Sequence, residues 1–492
     1  MERGSESISD PVIGTGSLRA LIVPMTPGNA AQADPGEESG APSYRSVLEK
    51  HGGALKPASV STKQEHIATL ARSNPEMAFF TLNQYIDYEW VRYAYERTRK
   101  DGAVGVDQQT AEDYAANLEH NLRDLADQLK SGRYRAPPVR RHYIPKADGS
   151  QRGLGIPSFA DKVAQRAIVM LLEPIYEQDF LDCSFGFRPE RSAHQALRVV
   201  RSAVMERGGR WILDVDLRKY FDSIDPAKLR ELLDHRVTDG VVRRLIDKWL
   251  KAGVLEDGQV HYPDQGTPQG GVISPCLANV FLHYVLDAWF AEQVQPRLRG
   301  ASTLVRFADD FVAIFAYKDD AERVLRVLGK RMGKYGLQLH PGKTQLVDFR
   351  TKKKPIRPSG ETALATTFQF LGFLHVWGKS RKGNAVVRQQ TAKDRIARAL
   401  KAINEKCRRM RHQPLSEQHR QLSQMLKGHM AYFGISGNFQ RIAGLIRRAR
   451  RQWRFWLSRR SNASRVTWEA FERIVQRLPL PRPRIVHRYT GA

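Results

Sequence analysis

One short stretch, LVRFADDFVAIF at residues 304–315, constrains the fold more than any other part of the chain. The apolar residues on either side of Asp309 and Asp310 predict two short strands, with the acidic pair where the chain turns. Adjacent carboxylates repel each other, and a divalent cation held between them and other ligands would relieve that repulsion. A solvated turn is the alternative interpretation, because aspartate is common in turns.

A second acidic stretch, WILDVDLRKYFDSID at residues 211–225, favours the cation. Its apolar residues predict a largely buried strand with Asp216 near the end. A carboxylate in an apolar strand needs a partner, and a metal ion is the partner that this position favours. Asp216 on a strand, together with Asp309 and Asp310 on a hairpin, matches the ligand set of a two-metal nucleotidyl transferase.

Two other acidic residues of the second stretch receive different interpretations. Asp225 precedes Pro226, and a proline at the first helical position predicts a helix that Asp225 caps and that runs to about residue 235. Asp214 is either solvent-facing or structural, and the sequence leaves both possibilities open.

These residues resemble the motifs of reverse transcriptases. FADD at 307–310 is similar to the family's hairpin motif Y/F-A-D-D, and further stretches resemble its other blocks in the right order over about residues 76 to 480. Several of them are typical of the group II intron-encoded branch. The matching stretches are GAVGVD (102–107), IPKADGSQRGLGIPS (144–158), CSFGFRPERSAHQAL (183–197), QGTPQGGVISPCLAN (265–279), GLQLHPGKT (336–344) and FQFLGF (368–373).

The resemblance implies an α+β protein with the right-hand polymerase fold, in which fingers and a palm with an antiparallel sheet precede an all-α thumb or maturase domain. The implied activity is RNA-directed DNA polymerisation, with intron RNA as template, a DNA primer or target, and dNTPs. Asp216, Asp309 and Asp310 would be the catalytic residues and would bind two Mg²⁺ ions, for which Mn²⁺ can substitute. Binding of the intron RNA would also assist splicing and retromobility.

The resemblance further implies five nucleotide-binding residues. Lys146 and Arg152 bracket a predicted hairpin turn and would clamp the triphosphate, and Phe221 would lie beneath the sugar and exclude a 2′-hydroxyl. Gln269 in the glycine-rich loop would contact nucleotide or template, and Lys343 would lie near the pyrophosphate as a candidate general acid. From composition alone, the three basic residues would be interpreted as surface charges and Phe221 as a core aromatic.

The charge of the chain agrees with a polyanionic partner. There are 79 Lys and Arg residues against 52 Asp and Glu residues, a formal net charge of +27. No segment reaches the roughly 20 apolar residues of a membrane span, which favours nucleic acid over a membrane. The predicted helix from Arg441 to Arg460 contains no acidic residue, and it places Arg447, Arg448, Arg450, Arg451 and Arg454 around an apolar stripe.

Composition also divides the chain. We expect a disordered arm at 1–60, an N-terminal extension and fingers at 61–197, a palm at 198–378, and a helical thumb with a basic tail at 379–492. The start of the chain resembles neither a secretory signal nor a transit peptide, which predicts a cytoplasmic protein of bacterial type. A free-standing reverse transcriptase used in defence or repair, with no intron partner, is the alternative function.

Overall fold

The protein has a mixed α+β architecture with antiparallel sheets and a helical C-terminal region, as predicted. The computed structural model describes residues 57–145, 151–256, 259–261, 270–351, 365–380, 382–461 and 465–489. Lys146, Gln269 and residues 1–56 of the predicted arm lie outside these ranges. No helix in the described ranges combines the length and the apolarity that crossing a membrane requires.

Fifteen α-helices lie in the described ranges. They are α1 Pro57–Ser73, α2 Tyr88–Arg97, α3 Ala111–Ala115, α4 Leu118–Lys130, α5 Phe159–Asp179, α6 Ala193–Met205, α7 Tyr220–Ser223, α8 Pro226–Asp234, α9 Gly240–Leu250, α10 Ser274–Leu282, α11 Lys318–Lys334, α12 Lys393–Arg409, α13 Leu415–Phe433, α14 Phe439–Leu457 and α15 Trp468–Arg477.

Three sheets accompany these helices in the described ranges, with orders β2-β1-β4-β5, β6-β7-β3-β8 and β11-β10-β9. Their strands are β1 Val139–Pro145, β2 Gln151–Ile156, β3 Trp211–Val215, β4 Val254–Glu256, β5 Gln259–His261, β6 Ser302–Phe307, β7 Asp310–Phe315, β8 Gln345–Asp348, β9 Phe368–Phe370, β10 Phe373–Lys379 and β11 Ala385–Thr391.

The first part of the chain forms a helical layer around α5. This helix is buried along most of its length because α1, α2, α3 and α4 pack against it. The indole Nε1 of Trp90 in α2 donates to the Ala167 carbonyl of α5 at 2.9 Å. Helix α1 begins at Pro57, slightly before the predicted end of the arm at residue 60.

A four-stranded sheet projects from this helical layer. The predicted hairpin is present as β1 and β2, whose last described pair is Pro145 with Gln151, and its turn lies outside the described ranges. Strand β4 pairs with β1 in parallel, so a segment from much later in the chain extends the same sheet.

The central sheet is antiparallel throughout and is covered on both faces. Leu213 and Val215 of β3 face one apolar core with α10 and α11, while Ile212 faces a second core with α6 and the β9–β11 sheet. The predicted boundaries at 197/198 and 378/379 therefore fall inside α6 and inside β10, because both elements pack around this sheet.

The helical C-terminal region has its own apolar core. Helices α12, α13 and α14 match the three predicted helices, and Pro414 separates the first two. A fourth helix, α15, closes the core with Phe471, whose ring packs edge-on against Trp453 of α14 at 5.6 Å between centroids.

Two long helical segments are interrupted. The segment 111–130 forms α3 and α4, because Asn117 begins a new helix and the side-chain amide of Asn121 donates to the Tyr114 carbonyl at 2.9 Å. The segment 272–293 begins as α10 and continues as π-helical turns at His283–Asp287 and Phe290–Val294. Such turns often mark a functional constraint.

The first π-helical turn supplies the partner of a buried arginine. Arg306 in β6 and Asp287 are both fully buried. The guanidinium Nε donates to Asp287 Oδ1 at 2.8 Å and Nη2 donates to Asp287 Oδ2 at 2.5 Å. The remaining donors reach Asn279 Oδ1 at 2.9 Å, the Ala308 carbonyl at 3.0 Å and Ser184 Oγ at 2.7 Å. All five N–H groups of this arginine are thus used.

Arg306→Met should destabilise the fold by about 3–5 kcal/mol, because it leaves the carboxylate of Asp287 buried without a partner. Denaturant titration of the full chain measures the free energy of unfolding. Arg299→Met is the control, since Arg299 forms an exposed pair with Asp319 at 3.9 Å and lies over the exposed ring of Tyr317, and its loss should cost about 1 kcal/mol or less. Equal losses in the two variants would show that the buried pair has no special role.

Candidate active site

The register of the central sheet places acidic residues on one face. Asp214 of β3 pairs with Val312 of β7, and Phe311 pairs with Val215. Side chains alternate between faces along a strand, so Asp214, Asp216 and Asp310 all project from the face that bears Val312. Asp310 follows Asp309 of the same hairpin, and the sheet therefore gathers the three predicted carboxylates and also Asp214.

The hairpin that carries the acidic pair has a strained turn. Phe307 pairs with Asp310 across β6 and β7, which leaves Ala308 and Asp309 as the turn residues. Ala308 has φ of +58°, a left-handed conformation that costs about 1–2 kcal/mol for a residue with a Cβ. Arg306 holds the Ala308 carbonyl. A Cβ on Gly186 would lie 2.4 Å from the Ala308 nitrogen, so a glycine is needed at 186.

The carboxylates of this face repel one another. Burial, followed by the charges of Asp214, Asp309 and Asp216, raises the pKa of Asp310 well above its ordinary value, and a hydrogen bond from the Leu371 backbone opposes that rise. Burial likewise raises the pKa of Asp309, against the positive charge of Arg152.

Asp214 takes part in the same cluster. Burial raises the pKa of this carboxyl to about 6; the hydrogen bond from Gln345 opposes the rise, and the charge of Asp216 adds to it. Gln345 Nε2 donates to Asp214 Oδ2 at 3.1 Å. Of the two interpretations that the sequence left open for Asp214, the structure thus favours a half-buried residue beside the acidic site.

Lys343 lies directly against one of the predicted ligands. Its Nζ is 3.0 Å from Asp216 Oδ2. The loop that carries it is fixed to the end of β3, because the His340 amide donates to the Asp216 carbonyl at 2.8 Å. In this conformation Lys343 supplies the positive charge beside Asp216.

The carboxylates fit a divalent cation in chemistry. Their oxygens are the hard ligands that Mg²⁺ prefers, and their mutual repulsion would fall when a cation binds. Among the residues that the structure describes, no three His, Cys, Asp or Glu side chains already converge as a metal-binding group. Asp216, turned toward Lys343, would have to reorient before it could complete such a set with Asp309 and Asp310.

Of the predicted nucleotide-binding residues, the structure describes Arg152, Phe221 and Lys343. Arg152 is exposed as the second residue of β2, and its charge acts on Asp309. Phe221 is half-buried in the short helix α7, edge-on to the buried Tyr220 at 5.3 Å between centroids. Lys146 and Gln269 fall outside the described ranges.

The predicted basic face of α14 is divided by its contacts. Arg447, Arg448 and Arg451 are exposed. Arg450 pairs with Glu472 of α15, and Arg454 donates to the Val466 carbonyl at 2.8 Å while lying over the Trp468 ring. Of the five predicted arginines, Arg447, Arg448 and Arg451 are therefore the ones that remain exposed.

Two parts of the site were not singled out from the sequence. The sequence left the role of Asp214 undecided, although the i, i+2 spacing with Asp216 already places both side chains on one face of a strand. The turn between β9 and β10 covers Asp310 through Leu371, which has φ of +51°. A leucine before glycine gives little sign of such a turn.

Comparison with known proteins agrees with the predicted family. Residues 144–375 match the family "Reverse transcriptase (RNA-dependent DNA polymerase)". Protein YkfC of Escherichia coli strain K12 is 36% identical over 287 residues, which are 52% of this chain and 75% of YkfC.

Two further relatives are named for introns. The group II intron-encoded protein LtrA of Lactococcus lactis subsp. cremoris is 39% identical over 224 residues, 44% of this chain but only 37% of LtrA. Nuclear intron maturase 2 of Arabidopsis thaliana is 35% identical over 106 residues, 20% of this chain and 14% of the relative. The chain thus belongs to the reverse transcriptase (RNA-dependent DNA polymerase) family, and over part of their length it is similar to a group II intron-encoded protein and to an intron maturase.

Proposed function

We propose that this protein copies RNA into DNA by two-metal nucleotidyl transfer and that it also binds a group II intron RNA to assist splicing and mobility. The observation that carries the proposal is the acidic face of the central sheet. Asp216 and Asp310 project from one face beside Asp309, with Arg152 and Lys343 as the neighbouring cations.

The predicted site residues that lie beside the acidic face each have a role in this proposal. Asp216, Asp309 and Asp310 hold two Mg²⁺ ions, which would activate the primer 3′-hydroxyl and stabilise the leaving pyrophosphate. Arg152 offers a planar guanidinium that suits the triphosphate of a nucleotide. Lys343 exchanges its pairing with Asp216 for the pyrophosphate, where its ammonium can donate a proton.

The RNA-binding part of the proposal rests on charge. The formal net charge of +27 requires an anionic partner. Arg447, Arg448 and Arg451 are exposed on one helix of the C-terminal region, which lies later in the chain than the acidic face. Polymerisation and RNA binding would therefore use separate surfaces of one protein, and each can be tested alone.

Asp309→Ala with Asp310→Ala should lower primer extension by several orders of magnitude, because the ions that activate the 3′-hydroxyl lose their ligands. RNA affinity and assisted splicing at low magnesium should stay near wild type, since binding uses cationic surface. Primer extension and splicing of RNA from the flanking gene, run on the same preparation, measure both activities.

The matched control for that variant is Asp319→Ala with Glu322→Ala, which removes two exposed carboxylates from α11. It should leave both activities unchanged. If the active-site variant remains folded and loses both activities, the division into two surfaces is wrong. If the wild-type protein aids splicing of no flanking RNA, the free-standing polymerase is the better assignment.

Phe221→Ala should admit ribonucleotides, because removal of the ring opens the space that a 2′-hydroxyl would occupy. Phe221→Tyr keeps the ring and should keep the discrimination. Primer extension with dNTPs and with NTPs gives the ratio of the two efficiencies for each variant. The same ratio in Phe221→Ala and in wild type would mean that Phe221 serves only to pack against Tyr220.

Replacing Arg447, Arg448 and Arg451 with alanine should make RNA binding less dependent on salt. Each phosphate contact that is lost should reduce the slope of log affinity against log salt by about 1. Binding of a structured intron RNA over a range of salt concentrations measures that slope. Alanine at Arg326, Lys330 and Lys334 of α11 removes the same charge from another exposed surface; an equal change in both triple variants would contradict a specific role for α14.

A further inference from the structure

A chain of buried polar groups lies beneath the segment Gly270–Ile273, which leads into α10. Its first member is Asp161, in the first turn of α5, and its second is Gln165, one turn later. Asp161 is 1% exposed to solvent and Gln165 is 3% exposed. Neither residue was singled out from the sequence, because both fall within a helix whose apolar stripe predicts core packing. Polar side chains so deeply buried require an explanation from their partners.

Asp161 accepts hydrogen bonds from three directions. Its Oδ1 accepts from the Tyr134 hydroxyl at 2.7 Å and from the Trp249 indole Nε1 at 2.6 Å, and its Oδ2 accepts from Gln165 Nε2 at 2.9 Å. Burial raises the pKa of Asp161 to about 6, and these three donors oppose the rise. At mildly alkaline pH the carboxyl is therefore ionised and can only accept.

The carboxylate fixes the orientation of the Gln165 side chain. An ionised acid must be faced by the NH₂ group of the amide, which turns the amide oxygen to the other side. There Gln165 Oε1 accepts the Ile273 backbone N–H at 3.2 Å. The charge on α5 thus acts through one amide on the backbone that begins α10.

Gly270 and Gly271 are tightly packed on the side where a side chain would attach. A Cβ on Gly271 would lie 3.0 Å from Gln165 Oε1, and a Cβ on Gly270 would lie 2.4 Å from the Gly155 carbonyl. Gly155 belongs to β2, the strand that also carries Arg152. The segment Gly270–Ile273 is therefore confined between Gln165 and the strand whose arginine faces the acidic site.

We propose that Asp161 and Gln165 are positioning residues for nucleotide binding, which hold the backbone of Gly270–Ile273 against β2 through the hydrogen bond to Ile273. This inference rests on the proposed polymerase function. Neither side chain contacts the reacting atoms; both act through the loop. The required property is the direction of the hydrogen bonds, an acceptor presented to Ile273, rather than the presence of polar atoms as such.

The test reverses the donor and acceptor directions of the hydrogen bonds that link Asp161, Gln165 and Ile273. Asp161→Asn retains Oδ1 for Tyr134 and Trp249 but places a donor toward position 165, so the glutamine amide turns and presents a donor to the Ile273 N–H. Gln165→Glu alone sets two carboxylates against each other. Together the two substitutions restore every bond, since the introduced asparagine donates to the introduced glutamate, whose other oxygen accepts from Ile273.

Each single variant should raise the KM for dNTP about tenfold, roughly the effect of one buried hydrogen bond, with a smaller change in kcat. The double variant should return to near the wild-type KM. Steady-state primer extension at mildly alkaline pH, with dNTP varied, measures this split. Gln178→Glu on the same helix, where the side chain is half-buried near Arg72, is the control and should not change KM.

Hydrogen exchange of the Ile273 amide provides a readout that does not depend on activity. Exchange should be faster in both single variants and slow again in the double variant. A double variant as impaired as the singles, or single variants with wild-type KM and wild-type exchange, would overturn the inference. If the wild-type chain extends no primer, the proposed function fails, while the exchange measurement still decides whether the polar chain holds the loop.

Discussion

The acidic site depends on the fully buried pair of Arg306 and Asp287. Taking two ions out of water costs several kcal/mol for each ion, and only good geometry and full hydrogen bonding offset that cost. Here every guanidinium N–H has an acceptor, and the acceptors come from different parts of the chain. The pair therefore fixes the end of β6 relative to the loop at Ser184 and to the π-helical turn that carries Asp287.

The turn of the acidic hairpin, which begins two residues after Arg306, requires that rigidity. Ala308 has a left-handed backbone conformation, and the carboxylates of Asp309 and Asp310 repel their neighbours on β3. Strain and like charge both favour opening of the hairpin, and neither would persist on a flexible turn. Bonding of Arg306 to the Ala308 carbonyl opposes the opening. The free energy that strain and repulsion cost at the hairpin is thus offset by a buried network on the face of the sheet opposite the acidic residues.

The sequence predicted the parts of this arrangement that have a local signal. Asp225 caps α8 as expected, with its side chain accepting from the Ala227 amide at 2.8 Å, because caps depend on neighbours in the chain. The hairpin at Asp309 and Asp310 followed from apolar runs on either side of a turn. Asp214 has a local signal in its i, i+2 spacing with Asp216, but only the register of the sheet shows that Asp310 projects from the same face.

The buried polar residues were harder to predict for a different reason. Arg306, Asp161 and Gln165 lie in apolar segments, and their partners come from distant positions such as Asp287, Tyr134 and Trp249. Pairing between such positions is a property of the tertiary fold, and one sequence carries no pattern that reports it. The split of residues 111–130 into α3 and α4 has the same origin, since periodicity continues across a break that a side-chain amide stabilises.

Helix α10 connects the two buried networks. Its start is held by Gln165 through the Ile273 amide, and six residues further on Asn279 accepts from Arg306 and donates to the Gly186 carbonyl at 2.7 Å. A helix of nine residues is stiff over this length. The glycine loop, which contacts the strand of Arg152, and the acidic hairpin, which bears Asp309 and Asp310, are consequently held by one element. Their separation is then set by helix geometry, which is what the proposed alignment of a triphosphate with metal-bound carboxylates would require.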